Sequence, residues 1–356
     1  MTMKPLLLST ALALPAVPLA AHGLPQATRP MQAVLDQLAS LGGKPIEQLT
    51  PEEARKQPTP ADAVKALLRS RGQSIAPEAV AKVEDRSFAG PGGGIAVRIY
   101  TPRGAGPFPV VLYIHGGGWV IADLDVYDSS PRALANAAGA VVVSTHHRLA
   151  PEHPFPASHA DTFAAYLWVR ENAASLDGDP QRIAVAGESA GGNMAAAICL
   201  TAREKKVPLP VCQVLIYPVV GTDMSTPSFK ENADAKPLNQ AMMVWFAGHE
   251  FKRPSDKEDP RIDLLRADLR GMPPAAIITA QIDPLRSGGE RLAEDLRAAR
   301  VEVSAKNYSG VTHEFFGMGA VLQESRDATQ FAAGLLKKAF KNSAALNAQT
   351  NQQEKP

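Results

Sequence analysis

Several things are scarce in this 356-residue sequence, and each scarcity excludes a class of function. Cysteine is nearly absent: Cys199 and Cys212 are the two in the chain. Two cannot build a disulfide framework or a cysteine-based metal centre, so both read as small buried hydrophobes. Charge of one sign is scarce as well. The 37 Lys and Arg balance 36 Asp and Glu, the net charge is +1, and no dense basic block occurs. Nucleic acid and anionic membrane surfaces are therefore not expected as partners. There is no internal repeat and no apolar run fit to cross a bilayer. The apolar stretch Leu6 to Ala21 is short and broken by Pro15 and Pro18. With Lys4 before it and Ala20 and Ala21 at its end, residues 1–21 fit a secretory signal peptide and an exported, periplasmic or secreted protein. The alternative is an ordinary N-terminal helix of a cytoplasmic protein. What the sequence does have is length for a large α/β domain and an apolar content of 45%, enough for a sizeable core.

Residues 22–82 read as a helical segment. Met31, Val34, Leu35 and Leu38 fall at helical spacing. Thr50-Pro51-Glu52-Glu53 has the pattern of a capping box with proline at the first helical position, and a further helix is expected over Ala61 to Arg69. From Val83 onward, strands alternate with helices. Ile95 to Tyr100, Pro109 to Ile114, Ala140 to Ser144, Ile183 to Ala186, Gln213 to Tyr217, Ala275 to Ala280 and Glu302 to Tyr308 read as strands. Pro131 to Ala138, Ala157 to Asn172, Ala190 to Ala202 and Ser287 to Arg300 read as helices. This rhythm predicts a mostly parallel sheet covered on both faces over residues 83–341. Residues 221–264 interrupt it and read as an insertion above the strands' C-terminal edge, with one helix around Leu238 to Phe251. The polar tail, residues 342–356, is expected to be disordered.

The chemistry gathers on four loops. Gly187-Glu188-Ser189-Ala190-Gly191 joins a strand to a helix, the context of a nucleophile elbow. The sharp turn places Ser189 at a helix N-terminus, and the flanking glycines remove side chains that would clash. His115-Gly116-Gly117-Gly118-Trp119 follows the Pro109–Ile114 strand, and its glycines let backbone N–H groups approach a ligand closely. A serine needs a base, and the base needs an orienting acid. Asp283 and His313 each follow a late strand, and the order Ser, Asp, His is the α/β-hydrolase order. His115 reads as an anchor for its own loop. The proline-rich stretch His147 to Pro156 reads as a rigid support with an Arg148–Glu152 pair, and a catalytic role for His146, His147 or His153 is disfavoured. Along the insertion, Leu238, Met242, Trp245, Phe246 and His249 recur at helical spacing, so this stripe is expected to pack downward.

Taken together, His115–Trp119, Arg148–Ala157, Gly187–Gly192, Asp283–Arg286 and His313–Phe315 resemble the bacterial hormone-sensitive-lipase-like family of α/β-hydrolase esterases, over about Glu52 to Phe316. The resemblance implies an eight-stranded, mostly parallel sheet flanked by helices and topped by a helical cap. It implies a serine carboxylesterase acting on short- to medium-chain esters, with Ser189, Asp283 and His313 as triad and the N–H groups of Gly117, Gly118 and Ala190 as oxyanion hole. His115, Gly116, Glu188, Arg148 and Glu152 would support the site, and Trp119, Met242, Trp245 and Phe246 would line the pocket. It implies no metal and no organic cofactor, and assembly as a homodimer is common in the family. Three departures stand out: His147 in place of the usual Tyr, Ser287 and Gly288 where acidic residues are common, and Glu314 where Gly is usual. The rival readings are a deacetylase of acetylated sugars or other natural esters with the same triad, and a non-catalytic ligand-binding protein on a hydrolase scaffold.

Overall fold

A computed structural model of the protein describes residues 26–353, with side chains to residue 345. The expected export signal lies outside the described residues. The described residues open with helices α1 (Arg29–Ser40), α2 (Pro51–Ala54) and α3 (Pro60–Ser70). Both α2 and α3 start on capping boxes, Thr50 with Glu53 and Thr59 with Asp62, each followed by proline at the first helical position. These boxes satisfy N–H groups that helix geometry leaves unpaired, so a helix as short as α2 is still fixed.

A hairpin follows, β1 (Lys82–Gly90) and β2 (Gly93–Thr101), then β3 (Phe108–Ile114), α4 (Ser129–Ala138), β4 (Val141–Thr145), α5 (Ala157–Asn172), β5 (Gly178–Glu188), α6 (Ala190–Glu204) and β6 (Gln213–Ile216). The inserted segment contributes α7 (Pro227–Glu231) and α8 (Gln240–Glu250). The chain closes with β7 (Ala275–Ile282), α9 (Arg286–Ala298), β8 (Val303–Thr312) and α10 (Gln323–Gln353). The eight strands form one sheet in the order β1-β2-β4-β3-β5-β6-β7-β8. Pairings β1–β2 and β2–β4 are antiparallel, and the others are parallel.

Side chains alternate across a strand, so β3 feeds two cores. Val110, Leu112 and Ile114 point to a cluster shared with Tyr166 of α5, Met194 of α6, Leu292 of α9 and Phe246 of α8. Val111 and Tyr113 point the other way, to a cluster with Leu134 of α4, Leu336 of α10, Met31 of α1 and Leu67 of α3. Both faces are therefore covered, which is why the central strands read as unbroken apolar runs. Parallel pairing from β3 to β8 brings the ends of β5, β7 and β8 to one edge, and that edge carries the site.

At the C-terminus, α10 runs as far as Gln353, through most of the polar stretch from Asn342. Ala, Leu and Gln in this stretch lose little in a helix, and no proline interrupts before Pro356.

Candidate active site

Ser189 stands between β5 and α6 with φ 58° and ψ −119°, a left-handed region that costs an L-residue energy. The surroundings over-determine it. The Ser189 N–H donates to Ile216 O on β6 (2.9 Å), and Ser189 O accepts from Asn193 N and Val219 N, each at 3.1 Å. A Cβ on Gly191 would stand 2.1 Å from Ile114 O, so a side chain there has no room. The turn is thus fixed by backbone contacts to the two neighbouring strands.

Asp283 and His313 meet at the same edge, on the loops after β7 and β8. Nδ1 of His313 donates to Oδ2 of Asp283 over 2.7 Å, and the other Asp283 oxygen accepts from Leu285 N–H (2.9 Å). Asp283 is fully buried and His313 is 3% exposed. Burial disfavours the charged imidazole, but the Asp283 carboxylate outweighs it, and Glu314 and Glu188 pull in the same direction. The pKa of His313 therefore stands above the ordinary histidine value. With Nδ1 committed to Asp283, Nε2 is the ring nitrogen left free. Ser189 is 6% exposed, and its hydroxyl makes no hydrogen bond to His313 among the described residues. Such contacts are often long in a free enzyme and tighten on binding.

The glycine loop lies beside the elbow. Gly117 has φ +95°, and a Cβ on it would strike Ile121 O at 2.2 Å. Among the described residues, the N–H groups of Gly117, Gly118 and Ala190 have no backbone acceptor. His115 anchors the loop through Nδ1 to Gly116 O (2.9 Å) and Nε2 to Nδ1 of His146 (3.0 Å). Its ring stacks on His147 with centroids 4.5 Å apart, so the His147 departure completes a pile of imidazoles under the loop. Burial, with His147 and His146 adding, keeps His115 well below the ordinary histidine range, and burial pushes His147 down to about 3. Both rings are neutral at physiological pH.

Glu188 sits under the serine, fully enclosed, with Tyr113 OH donating to one oxygen and Tyr217 OH to the other. Burial and then the nearby Glu314 push its pKa up to about 7. Glu314 has φ 70°, which accounts for glycine being usual at this place. Its Oε1 accepts from Tyr127 OH (2.6 Å) and stands 3.8 Å from Nε2 of His313.

Two expectations are corrected here. Arg148 does not pair with Glu152. Its guanidinium grips both oxygens of the buried Asp161 at 2.8 Å each, while Glu152 takes two donors from Arg55 at 2.9 and 2.7 Å. The bidentate geometry of each pair outcompetes closeness in sequence. Arg55 also donates to Val120 O (2.8 Å) and Ala150 O (2.9 Å), tying the segment after α2 to the glycine loop.

The second correction concerns α8. Met243, Phe246 and Ala247 face inward and, with Trp119, Val219 and Phe251, help line a narrow apolar cavity of about 10 Å³. Met242 and Trp245 lie off it. The Trp245 indole instead donates to Leu49 O (3.1 Å), joining α8 to the N-terminal segment. Phe246 closes over Gly118, where a Cβ would meet its ring at 2.3 Å. A larger cleft, about 300 Å³, is lined by Asp85, Arg98, Asp123, Asp125 and His146 and touches neither Ser189 nor His313. Tyr127, Arg55 and Asp161 were not singled out from sequence, and nothing local in the chain marks them.

The model of the α/β hydrolase fold matches residues 111–317 of the chain. The chain is 42% identical over 291 residues to the carboxylesterase NlhH of Mycobacterium tuberculosis, covering 79% of this chain and 91% of that protein. It is 32% identical over 286 residues to the ethyl acetate hydrolase of Pseudomonas putida, covering 79% and 88%. Among solved structures, the hyperthermophilic esterase from the archaeon Pyrobaculum calidifontis superposes with a TM-score of 0.80 at 36% identity, covering 88% of this chain and 98% of that one.

Proposed function

The chain belongs to the α/β-hydrolase fold family, in its hormone-sensitive-lipase-like esterase branch, and from that premise we propose that it is a serine carboxylesterase working through Ser189, Asp283 and His313. One observation carries the reading: the 2.7 Å bond from Nδ1 of His313 to a fully buried Asp283, at the sheet edge that also holds Ser189 in its strained turn. Nε2 of His313 takes the Ser189 proton as Oγ attacks the ester carbonyl. The carbonyl oxygen becomes an oxyanion facing the unpaired N–H groups of Gly117, Gly118 and Ala190, each worth about 3–4 kcal/mol to the transition state. The leaving alcohol then takes the proton from Nε2, and water releases the acyl group from Ser189 by the same steps in reverse. Asp283 holds the tautomer and stabilises the imidazolium. No step needs a metal or an organic cofactor.

The likeness to an ethyl acetate hydrolase supports a short acyl chain. A fluorophosphonate probe is expected to label the native protein at Ser189 and to leave Ser189→Ala unlabelled; equal labelling refutes the assignment. Export is proposed with it, on the charged, apolar, small-residue order of residues 1–21. Among the described residues no helix is long and apolar enough to cross a membrane. N-terminal sequencing of protein from the native host should find a start near residue 22, and an intact Met1 in the cytosol refutes export.

A further inference from the structure

Glu314 is the departure that the triad does not absorb. Its nearer oxygen, Oε1, stands 3.8 Å from Nε2 of His313, too far for a hydrogen bond, and Oε2 lies farther off, at a spacing that one water can bridge. Oε1 is held by Tyr127 OH at 2.6 Å. Oε2 takes no donor among the described residues, and the side chain keeps 21% of its surface accessible, against 4% for His313 and none for Asp283. Tyr127 is itself fixed, since its hydroxyl packs against Gly116, where a Cβ would approach it to 2.3 Å. The result is a braced carboxylate with one open acceptor beside the imidazole.

We propose that Glu314 is a positioning residue for the water that hydrolyses the acyl-enzyme, a role that rests on the esterase reading above. A water bound there gives one hydrogen to Nε2 of His313 and points the other at the free Glu314 oxygen. Its oxygen then attacks the acyl carbon on Ser189. The proton goes to Nε2, the bond between the acyl carbon and Oγ breaks, and Oγ recovers that proton from the imidazolium. Glu314 ends as it began, having only accepted a hydrogen bond. The arrangement selects water over an alcohol as acceptor. Methanol gives its single O–H hydrogen to Nε2 and has none left for Glu314, so the carboxylate aligns water alone.

The test uses p-nitrophenyl acetate with the full protein. The initial burst reports acylation, the steady rate reports deacylation, and the acid-to-methyl-ester split in methanol–water reports acceptor choice. In Glu314→Gln, Tyr127 retains the amide oxygen and the NH₂ group replaces the open acceptor. The burst rate should stay within about twofold, deacylation should fall about tenfold, and the methyl-ester share should rise at least about threefold. Tyr127→Phe, which loosens the carboxylate, should shift the split in the same direction by less. An unchanged split in a folded Glu314→Gln protein overturns the proposal, and so does an equal fall of burst and steady rates with the split unmoved. If that variant fails to melt cooperatively, Tyr127→Phe decides, and a wild-type split overturns it. A native protein with no Ser189-dependent turnover instead sinks the esterase reading itself.

Discussion

The sheet edge and the helix above it hold their parts of the site by different means. At the edge, backbone meets backbone: Ser189 is pinned to β6 and α6, and Gly191 leaves no space against Ile114 O. The α8 helix is held chiefly by side chains, through Trp245 to Leu49 O and Phe246 over Gly118, with one backbone bond from Phe155 N–H to Glu250 O (3.1 Å). Backbone contacts have one solution, and side-chain contacts have several. Chemistry should therefore fail sharply when the edge is altered, whereas substrate choice should drift when the helix is altered.

The largest break should come from Asp283→Asn. The tautomer of His313 is no longer enforced, and kcat should fall about 10⁴-fold in ester hydrolysis assays. The same variant tests the electrostatics. In the native protein, kcat/KM should decline as pH drops through a His313 pKa held above the ordinary value of about 6.5. Without the Asp283 carboxylate the main upward pull is gone, leaving only Glu314 and Glu188, so the residual activity should keep its acid limb at lower pH. An unmoved limb would mean that another group sets it.

Gly191→Ala should come next. The added methyl meets a backbone carbonyl that cannot step aside, and a loss of about 3 kcal/mol in chemical denaturation is expected, with a large fall in turnover. A stable and active variant would show that the elbow is looser than its contacts imply. Phe246→Ala sharpens the other half of the comparison. It opens space beside Gly118, and longer acyl chains should gain about tenfold in relative kcat/KM across a p-nitrophenyl ester series. Trp245→Phe should have the smallest effect. It removes one hydrogen bond and should cost about 1 kcal/mol of stability, with the ester ranking unchanged. A shifted ranking would place Trp245 in substrate selection after all.

How far each region could be read from sequence follows the same division. The strands, the elbow and the loops bearing Asp283 and His313 depend on local apolar runs and on glycines at set spacing, so the chain displays them directly. The orientation of α8 was not legible. Met242 and Trp245 on one side and Met243 and Phe246 on the other are all apolar, and Val244 is exposed besides. A helix apolar on more than one side has no unique inward stripe, so periodicity selected a face about one residue out of phase. The Arg148–Glu152 pairing failed for a related reason. Arg55 lies 97 residues from Glu152 and Tyr127 lies 187 from Glu314, and such partners are chosen by packing that no local pattern records.

Arg55 has a mechanical consequence. It rivets the glycine loop at Val120 O, the neighbouring loop at Ala150 O and the Glu152 carboxylate, all from a segment that precedes the sheet in the chain. A run of glycines is inherently slack, so the stiffness that aims its N–H groups comes from elsewhere. Here it comes from an external brace, and the catalytic domain is only as taut as the helical segment leaning on it.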